Sequence, residues 1–327
     1  MADDSTLLDP REQHFRVASA HSGRKLFLRY LPAAHPAQAE RRHVLYVHGA
    51  TFPSALSVAF RFDGRSWRDA LHDAGFDVWA FDFLGFGQSD RYPEMDEPAT
   101  AHHPLCDAKD GGDQVAAVVR FILEHARSER ISLVSHSWGS MPAGRFAGQH
   151  PEQIDRWVLF GPIARRPPRR YETAPSAPAW RVVTVEDQWR RFAEDVPPEA
   201  EPVLSKRHFA EWGERYLDSD RASRTRDPAG VKVPTGPFAD ILRAWHGDLG
   251  YDPALVRAPI AIMRGEWDGL VTDADARWLF DAFTASSMKR DIKIGHATHL
   301  MHLERMRAAL WRETNIFLLG QDETEPT

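Results

Sequence analysis

The sequence predicts an α/β protein: one mostly parallel eight-stranded sheet with helices on both faces, and a helical insertion after the sixth strand. Short, continuous apolar runs such as "HVLYV" and "FDVWAFD" read as strands buried on both sides, which is the pattern of a parallel sheet. Segments of helical period separate them, so strands and helices alternate as βαβαβ with short connections. At 327 residues, 43% apolar and 27% charged, the chain can also bury a sizeable core.

In chain order, "HFRVASAHSGRKLFLRYLPA" gives two strands with a turn at Ser22-Gly23, and the polar "AAHPAQAERR" links them to "HVLYVHG", a buried strand ending in glycine. "RSWRDALHDAG" is a helix closed by Gly75, followed by the strand "FDVWAFD". A loop with Pro93, Pro98 and Pro104 leads to "GDQVAAVVRFILEHARSER", where Val115, Val118, Val119, Ile122 and Leu123 share one helical face. The strand "ISLVS", the helix "WGSMPAGRFAGQH" and the strand "RWVLFG" complete a first core part over residues 1–162. Residues 163–254 break the alternation with irregular and helical pieces and are expected to form a lid inserted between two strands. A second core part, residues 255–320, resumes with the strand "APIAIMRG", the helix "DADARWLFDAFTA", the strand "RDIKIG" and a helix from about Met301 to Leu318. The polar tail, residues 321–327, is expected to be disordered.

A net charge of −6 provides no basic stripe for nucleic acid. "MADDSTLLDPREQ" carries acids where a signal peptide carries bases, and no apolar run is long enough for a membrane span. The single cysteine, Cys106, allows no internal disulfide and fits a reducing compartment; in "HHPLCDAKDGG" it reads as a bystander thiol. The expectation is a soluble, cytoplasmic protein acting on a small molecule, with no nucleic-acid or membrane partner and no internal repeat.

"LVSHSWGSM", residues 133–141, follows a strand and opens a helix, as does the G-x-S-x-G turn that presents a nucleophilic serine above a sheet. Such a turn needs small residues two before and two after the nucleophile, because strand and helix backbones pass closely there. Gly139 meets the second need, and Ser135 is small enough for the first, which makes Ser137 the candidate nucleophile. Taken alone, the string also fits an ordinary strand-to-helix turn that carries a serine.

With its neighbours, the string resembles the α/β-hydrolase fold family, in its lidded esterase and proline iminopeptidase-like branch. The resemblance runs from about residue 25 to 318 apart from the lid. "FDFLGFGQSD" matches the family's D-x-x-G-x-G-x-S at Asp82, Gly85, Gly87 and Ser89, for which the resemblance implies a structural role. "LYVHGATFPS" implies an oxyanion donor at the N–H of Ala50, with the N–H of Trp138 as the other, and His48 as a brace for the loop. The family's order of serine, acid, histidine places the acid at Asp268 in "EWDGLVTDAD". Glu266 is the alternative acid, while Asp273 and Asp275 read as helix-start residues. "HLMHLE" aligns His299 with the family's base, and His296, after Gly295, is the second candidate. The even spacing of His296, His299 and His302 also admits a metal reading, which the complete triad order outweighs; no metal and no cofactor are implied.

Phe52, His136 and Trp138 are candidate pocket residues, joined by one or two of the lid aromatics Trp180, Trp189, Trp212, Trp245, Phe192, Phe209 and Phe238. The others are expected to pack the lid. Arg165, Arg166, Arg169 and Arg170 read as solvated surface rather than a carboxylate clamp. The resemblance implies a serine hydrolase of a small to medium, apolar or aromatic carboxylic ester. Acyltransferase, amidase or peptidase chemistry on the same triad is the alternative, and a non-hydrolytic ligand-binding receptor is the alternative of another class. An aspartate nucleophile, as in dehalogenases of this fold, is excluded by Ser137 itself.

Overall fold

The computed structural model describes residues 8–21, 23–35, 42–167 and 177–321. Eight strands make one sheet: Gln13–Ala18 (β1), Lys25–Leu31 (β2), Arg42–Val47 (β3), Phe76–Asp82 (β4), Ile131–His136 (β5), Ile154–Phe160 (β6), Ile260–Gly265 (β9) and Lys289–Ile294 (β10). Their order is β1-β2-β4-β3-β5-β6-β9-β10, with β2 antiparallel to both of its neighbours and all other pairs parallel. This is the sheet that the sequence predicts.

Because successive side chains point to opposite faces, each central strand feeds two cores. Leu45, Val47, Trp79, Phe81, Leu133 and Ile262 pack against Ala108–Ala126 (α2), Ser140–Gln149 (α3) and Asp273–Ala282 (α7). Val44, Tyr46, Val78, Val134, Phe160 and Met263 pack against Trp67–Asp73 (α1) and Arg307–Leu319 (α8). Burying both faces fixes the register, since a slip by one residue would exchange the two cores.

The segment between β6 and β9 contains Val185–Ala193 (α4), Lys206–Asp218 (α5) and Gly236–Trp245 (α6). It also has a two-stranded antiparallel sheet of Trp180–Thr184 (β7) and Gly230–Pro234 (β8), which the sequence reading did not anticipate. Ser22 of the first turn, residues 36–41 of the linker, Arg169, Arg170 and residues 322–327 of the tail lie outside the described residues. Among the described residues no helix is long and apolar enough to cross a membrane.

Candidate active site

At the end of β5 the chain turns within one residue into a short 3-10 turn, Ser137–Gly139, and then into α3. Ser137 has φ +56, a left-handed conformation that costs energy for a residue with a side chain and persists where the surroundings enforce it. A Cβ on Gly139 would stand 2.5 Å from the His48 carbonyl oxygen, so only glycine fits two residues on. Two residues before, Ser135 is wholly buried, and its Oγ accepts a hydrogen bond from Trp157 Nε1 at 2.9 Å. The position thus requires smallness and, in this chain, also supplies an acceptor.

Ser137 follows β5, Asp268 follows β9 and His299 follows β10, so all three gather at the C-terminal edge of the sheet, where open α/β sheets bind ligands. Ser137 Oγ is 2.8 Å from His299 Nε2. His299 Nδ1 is 2.9 Å from Asp268 Oδ2 and 3.1 Å from Oδ1. Asp268 Oδ1 also accepts the backbone N–H groups of Leu270 and Val271 at 2.9 and 3.1 Å, which holds the carboxylate toward the imidazole. With Nδ1 donating to this carboxylate, Nε2 is left to accept the serine proton. Behind the ring, Gly161 has φ +54, and a Cβ there would approach His299 Nδ1 to 3.0 Å. Ser137, His299 and Asp268 are 4%, 3% and 6% exposed, so the constellation is nearly sealed from solvent.

The alternative residues fall elsewhere. His296 is exposed, has φ +57 and donates its backbone N–H to Glu266 at 3.0 Å, so both lie outside the hydrogen-bonded chain. Asp275 completes a capping box with Thr272 at the start of α7. Asp273 pairs with Arg264 and Lys293. His302 is buried with both ring nitrogens unpartnered, and burial pushes its pKa down to about 3. Glu304 accepts the Thr298 N–H at 3.0 Å and the Thr298 hydroxyl, and burial raises its carboxyl to about 7. Among the described residues no group of three or more His, Cys, Asp or Glu could hold a metal ion.

The loop after β3 packs directly on Ser137: a Cβ on Gly49 would be 3.2 Å from Ser137 Cβ, which brings Ala50 beside the turn that carries Trp138. His48 braces this loop, its Nδ1 donating to the Gly49 carbonyl at 2.7 Å and its Nε2 accepting the Phe83 N–H at 3.1 Å. Burial lowers its pKa, in keeping with a neutral structural ring. Asp82 accepts the N–H groups of Ser54 at 2.8 Å and Gln88 at 3.0 Å, and a Cβ on Gly87 would collide with it. His136 is placed otherwise than as a pocket wall. Its ring stacks on Phe160 with centroids 4.6 Å apart, and its Nε2 donates to the His299 carbonyl at 3.0 Å, behind the base.

The inserted segment closes over this edge through residues that the sequence reading did not single out. From α4, Arg191 donates to Thr51 Oγ1, next to Ala50. Just beyond α4, Asp195 accepts the Gly269 N–H at 3.0 Å, next to Asp268. From α6, Asp240 accepts the Trp138 indole N–H at 2.8 Å and the Ala108 N–H at 2.6 Å, and burial raises its carboxyl to about 6. Of the lid aromatics, Trp212 meets Phe52 edge to face at 5.2 Å and donates to the Leu56 carbonyl at 2.9 Å. Trp180, Phe238 and Trp245 sit under Lys232, Arg181 and Arg166 instead. Arg166 is no mere solvated residue, since it binds both Asp275 oxygens at 3.0 and 2.7 Å and ties the insertion to α7.

Residues 42–305 match the model of the alpha/beta hydrolase fold family. A haloalkane dehalogenase from Mycolicibacterium paratuberculosis is 28% identical over 187 residues, which cover 54% of this chain and 55% of that protein. The match therefore spans about half the length of this relative. A thioesterase domain from the curacin biosynthetic pathway is similar over 94% of this chain and 99% of its own, with a TM-score of 0.60 at 16% identity. A serine hydrolase from the polyaromatic hydrocarbon-degrading bacterium Cycloclasticus zankles is similar over 96% and 100%, with a TM-score of 0.60 at 16% identity. At such identities the structural likeness is one of fold.

Proposed function

Because the chain belongs to the α/β-hydrolase fold family, we propose that it is a serine hydrolase that cleaves a small to medium carboxylic ester through an acyl-enzyme. The observation that carries this reading is the unbroken hydrogen-bonded chain from Asp268 through His299 to Ser137. His299 Nε2 takes the hydroxyl proton as Ser137 Oγ attacks the ester carbonyl, and Asp268 stabilises the imidazolium that forms. The N–H groups of Ala50 and Trp138 receive the charge that develops on the carbonyl oxygen. His299 then returns the proton to the departing alkoxide, and water, activated by the same imidazole, releases the acid and restores Ser137.

In this reading residues 163–254 are a lid, which accords with the near-complete burial of Ser137 beneath α4. Phe52, on the loop after β3 and backed by the buried Trp212, gives the substrate side an apolar, aromatic character. The name of the dehalogenase relative does not carry over, because a serine stands where dehalogenases of this fold present an aspartate. A fluorophosphonate probe is expected to label Ser137, and Ser137→Ala to lose hydrolysis of a p-nitrophenyl ester by about ten-thousandfold or more with its circular dichroism unchanged. Undiminished turnover in Ser137→Ala would remove the mechanism, and a serine that never reacts with the probe would favour a ligand-binding receptor.

A further inference from the structure

Arg191 is half-buried and lacks the acidic partner that several enclosed arginines have. Arg29 pairs with Glu12, Arg68 with Asp9 and Glu12, Arg91 with Asp220, and Arg264 with Asp273 and Asp291. Among the described residues no carboxylate pairs with Arg191, whose acceptors are both neutral: the Thr51 hydroxyl and Gln188 Oε1 at 3.0 Å. Both bonds use Nη1, which leaves Nε and Nη2, the edge that grips a carboxylate through two parallel hydrogen bonds.

Its setting points to the substrate. Thr51 adjoins Ala50 on the oxyanion loop, and the guanidinium carbon is 6.0 Å from the ring centre of Phe52. The same Phe52 ring stacks at 6.1 Å on His302, whose two nitrogens are buried without a partner. A cation and an unsatisfied imidazole thus flank one aromatic ring beside the candidate nucleophile. Glu194 acts on Arg191 only through space, so this half-buried charge has no hydrogen-bonded counter-ion, and a ligand carboxylate would supply one.

We propose that Arg191 binds a second, anionic carboxylate of the substrate, so that the site selects esters of carboxylate-bearing molecules over their neutral counterparts. This rests on the serine-hydrolase reading above and narrows its substrate class: apolar apart from one carboxylate. Arg191 acts here as a specificity residue, since no step of the chemistry passes through it.

The test compares isosteric pairs, a carboxylate against a carboxamide, with the charge on either side of the scissile bond. Monoethyl adipate against ethyl adipamate places it on the acyl side, and 4-acetoxybenzoate against 4-acetoxybenzamide on the leaving side. In the wild-type protein one carboxylate substrate is expected to exceed its carboxamide in kcat/KM by about 50-fold, a charge-assisted bidentate interaction. Arg191→Met should lose most of that ratio and Arg191→Lys should keep part of it. Calorimetry on Ser137→Ala, alone and combined with Arg191→Met, reads the same preference as binding without turnover. Equal rates within both pairs, or a ratio unmoved in Arg191→Met, overturn the proposal. If the probe labels Ser137 and both pairs are flat, the anion site alone fails; if Ser137 is never labelled while Ser137→Ala still binds the carboxylates through Arg191, the hydrolase reading alone fails.

Discussion

Replacing Ser135 by alanine removes the hydroxyl that accepts the Trp157 indole N–H while changing the side-chain volume by a single oxygen. Both residues are fully buried, so no solvent can take the place of the hydroxyl. An unsatisfied buried donor costs about 1–3 kcal/mol, and the small void adds little. At about 2–4 °C per kcal/mol for a chain of a few hundred residues, the melting temperature should fall by about 2–12 °C. Because the Ser135 hydroxyl is hydrogen-bonded to Trp157, and His299 to Asp268 and Ser137, ester hydrolysis well below the melting transition should stay within about threefold of wild type. The assay is a double-mutant cycle with Trp157→Phe, read by thermal or urea unfolding. Removing the donor as well should recover most of the loss, giving a coupling of about 1–2 kcal/mol. A coupling near zero would refute the account of the hydrogen bond. A folded Ser135→Ala that had lost activity a hundredfold would refute the assignment of a purely local role. Ser135→Gly should likewise stay active, while Ser135→Leu overpacks the elbow and should fail to present the nucleophile.

Two further perturbations probe the support of His299. Gly161→Ala forces a side chain into a left-handed backbone and to within 3.0 Å of His299 Nδ1; steady-state kinetics should show kcat/KM reduced by about a hundredfold, and an unaffected rate would mean that His299 is not held from this side. Glu304, raised from the ordinary 4.5 to about 7, binds its proton more tightly in the folded chain than in the unfolded one. Its contribution to stability is therefore full below about pH 4.5 and is lost as pH rises through about 7. That loss is about 3 kcal/mol at about 1.4 kcal/mol per tenfold change. Urea titrations between pH 4.5 and 7.5 should show this decline in the wild type and a flatter profile in Glu304→Gln; superimposable profiles would show that the carboxyl is not perturbed.

What could be read from the sequence was what is decided locally or by chain order. The elbow is a strand, one strained residue and a helix in succession, so Ser137 stood out even with serine at position 135. Asp268 and His299 follow from strand ends in the order the fold requires. The start of α2 was misplaced: the helical string opened at Gly112, yet the helix begins at Ala108, capped by Asp107. Gly111 and Gly112 admit α3, since a Cβ on Gly111 would touch Pro142 at 3.0 Å, a fact of packing rather than of propensity. β7 and β8 pair across some 45 residues, beyond any local pattern. Arg191, Asp195 and Asp240 matter only because the insertion docks where it does, and nothing in their own neighbourhoods announces that. His136 looked like a pocket residue from its place beside Ser137, but a strand alternates its faces, and this ring points to the core behind the base.

The contacts that α4 and its C-terminal end make at the two ends of the constellation, Arg191 on the loop after β3 and Asp195 on the turn of Asp268, carry a consequence for the acyl-enzyme proposed above. A closed cover over an acylated serine sorts acceptors by size. Were Ser137 acylated as proposed, water would reach the carbonyl through small fluctuations, whereas an alcohol or thiol would need both tethers released at once. In the proposed reading the tethers would share with the triad the control of hydrolysis against transfer, and loosening Asp195 or Arg191 is expected to shift product toward the bulkier acceptor.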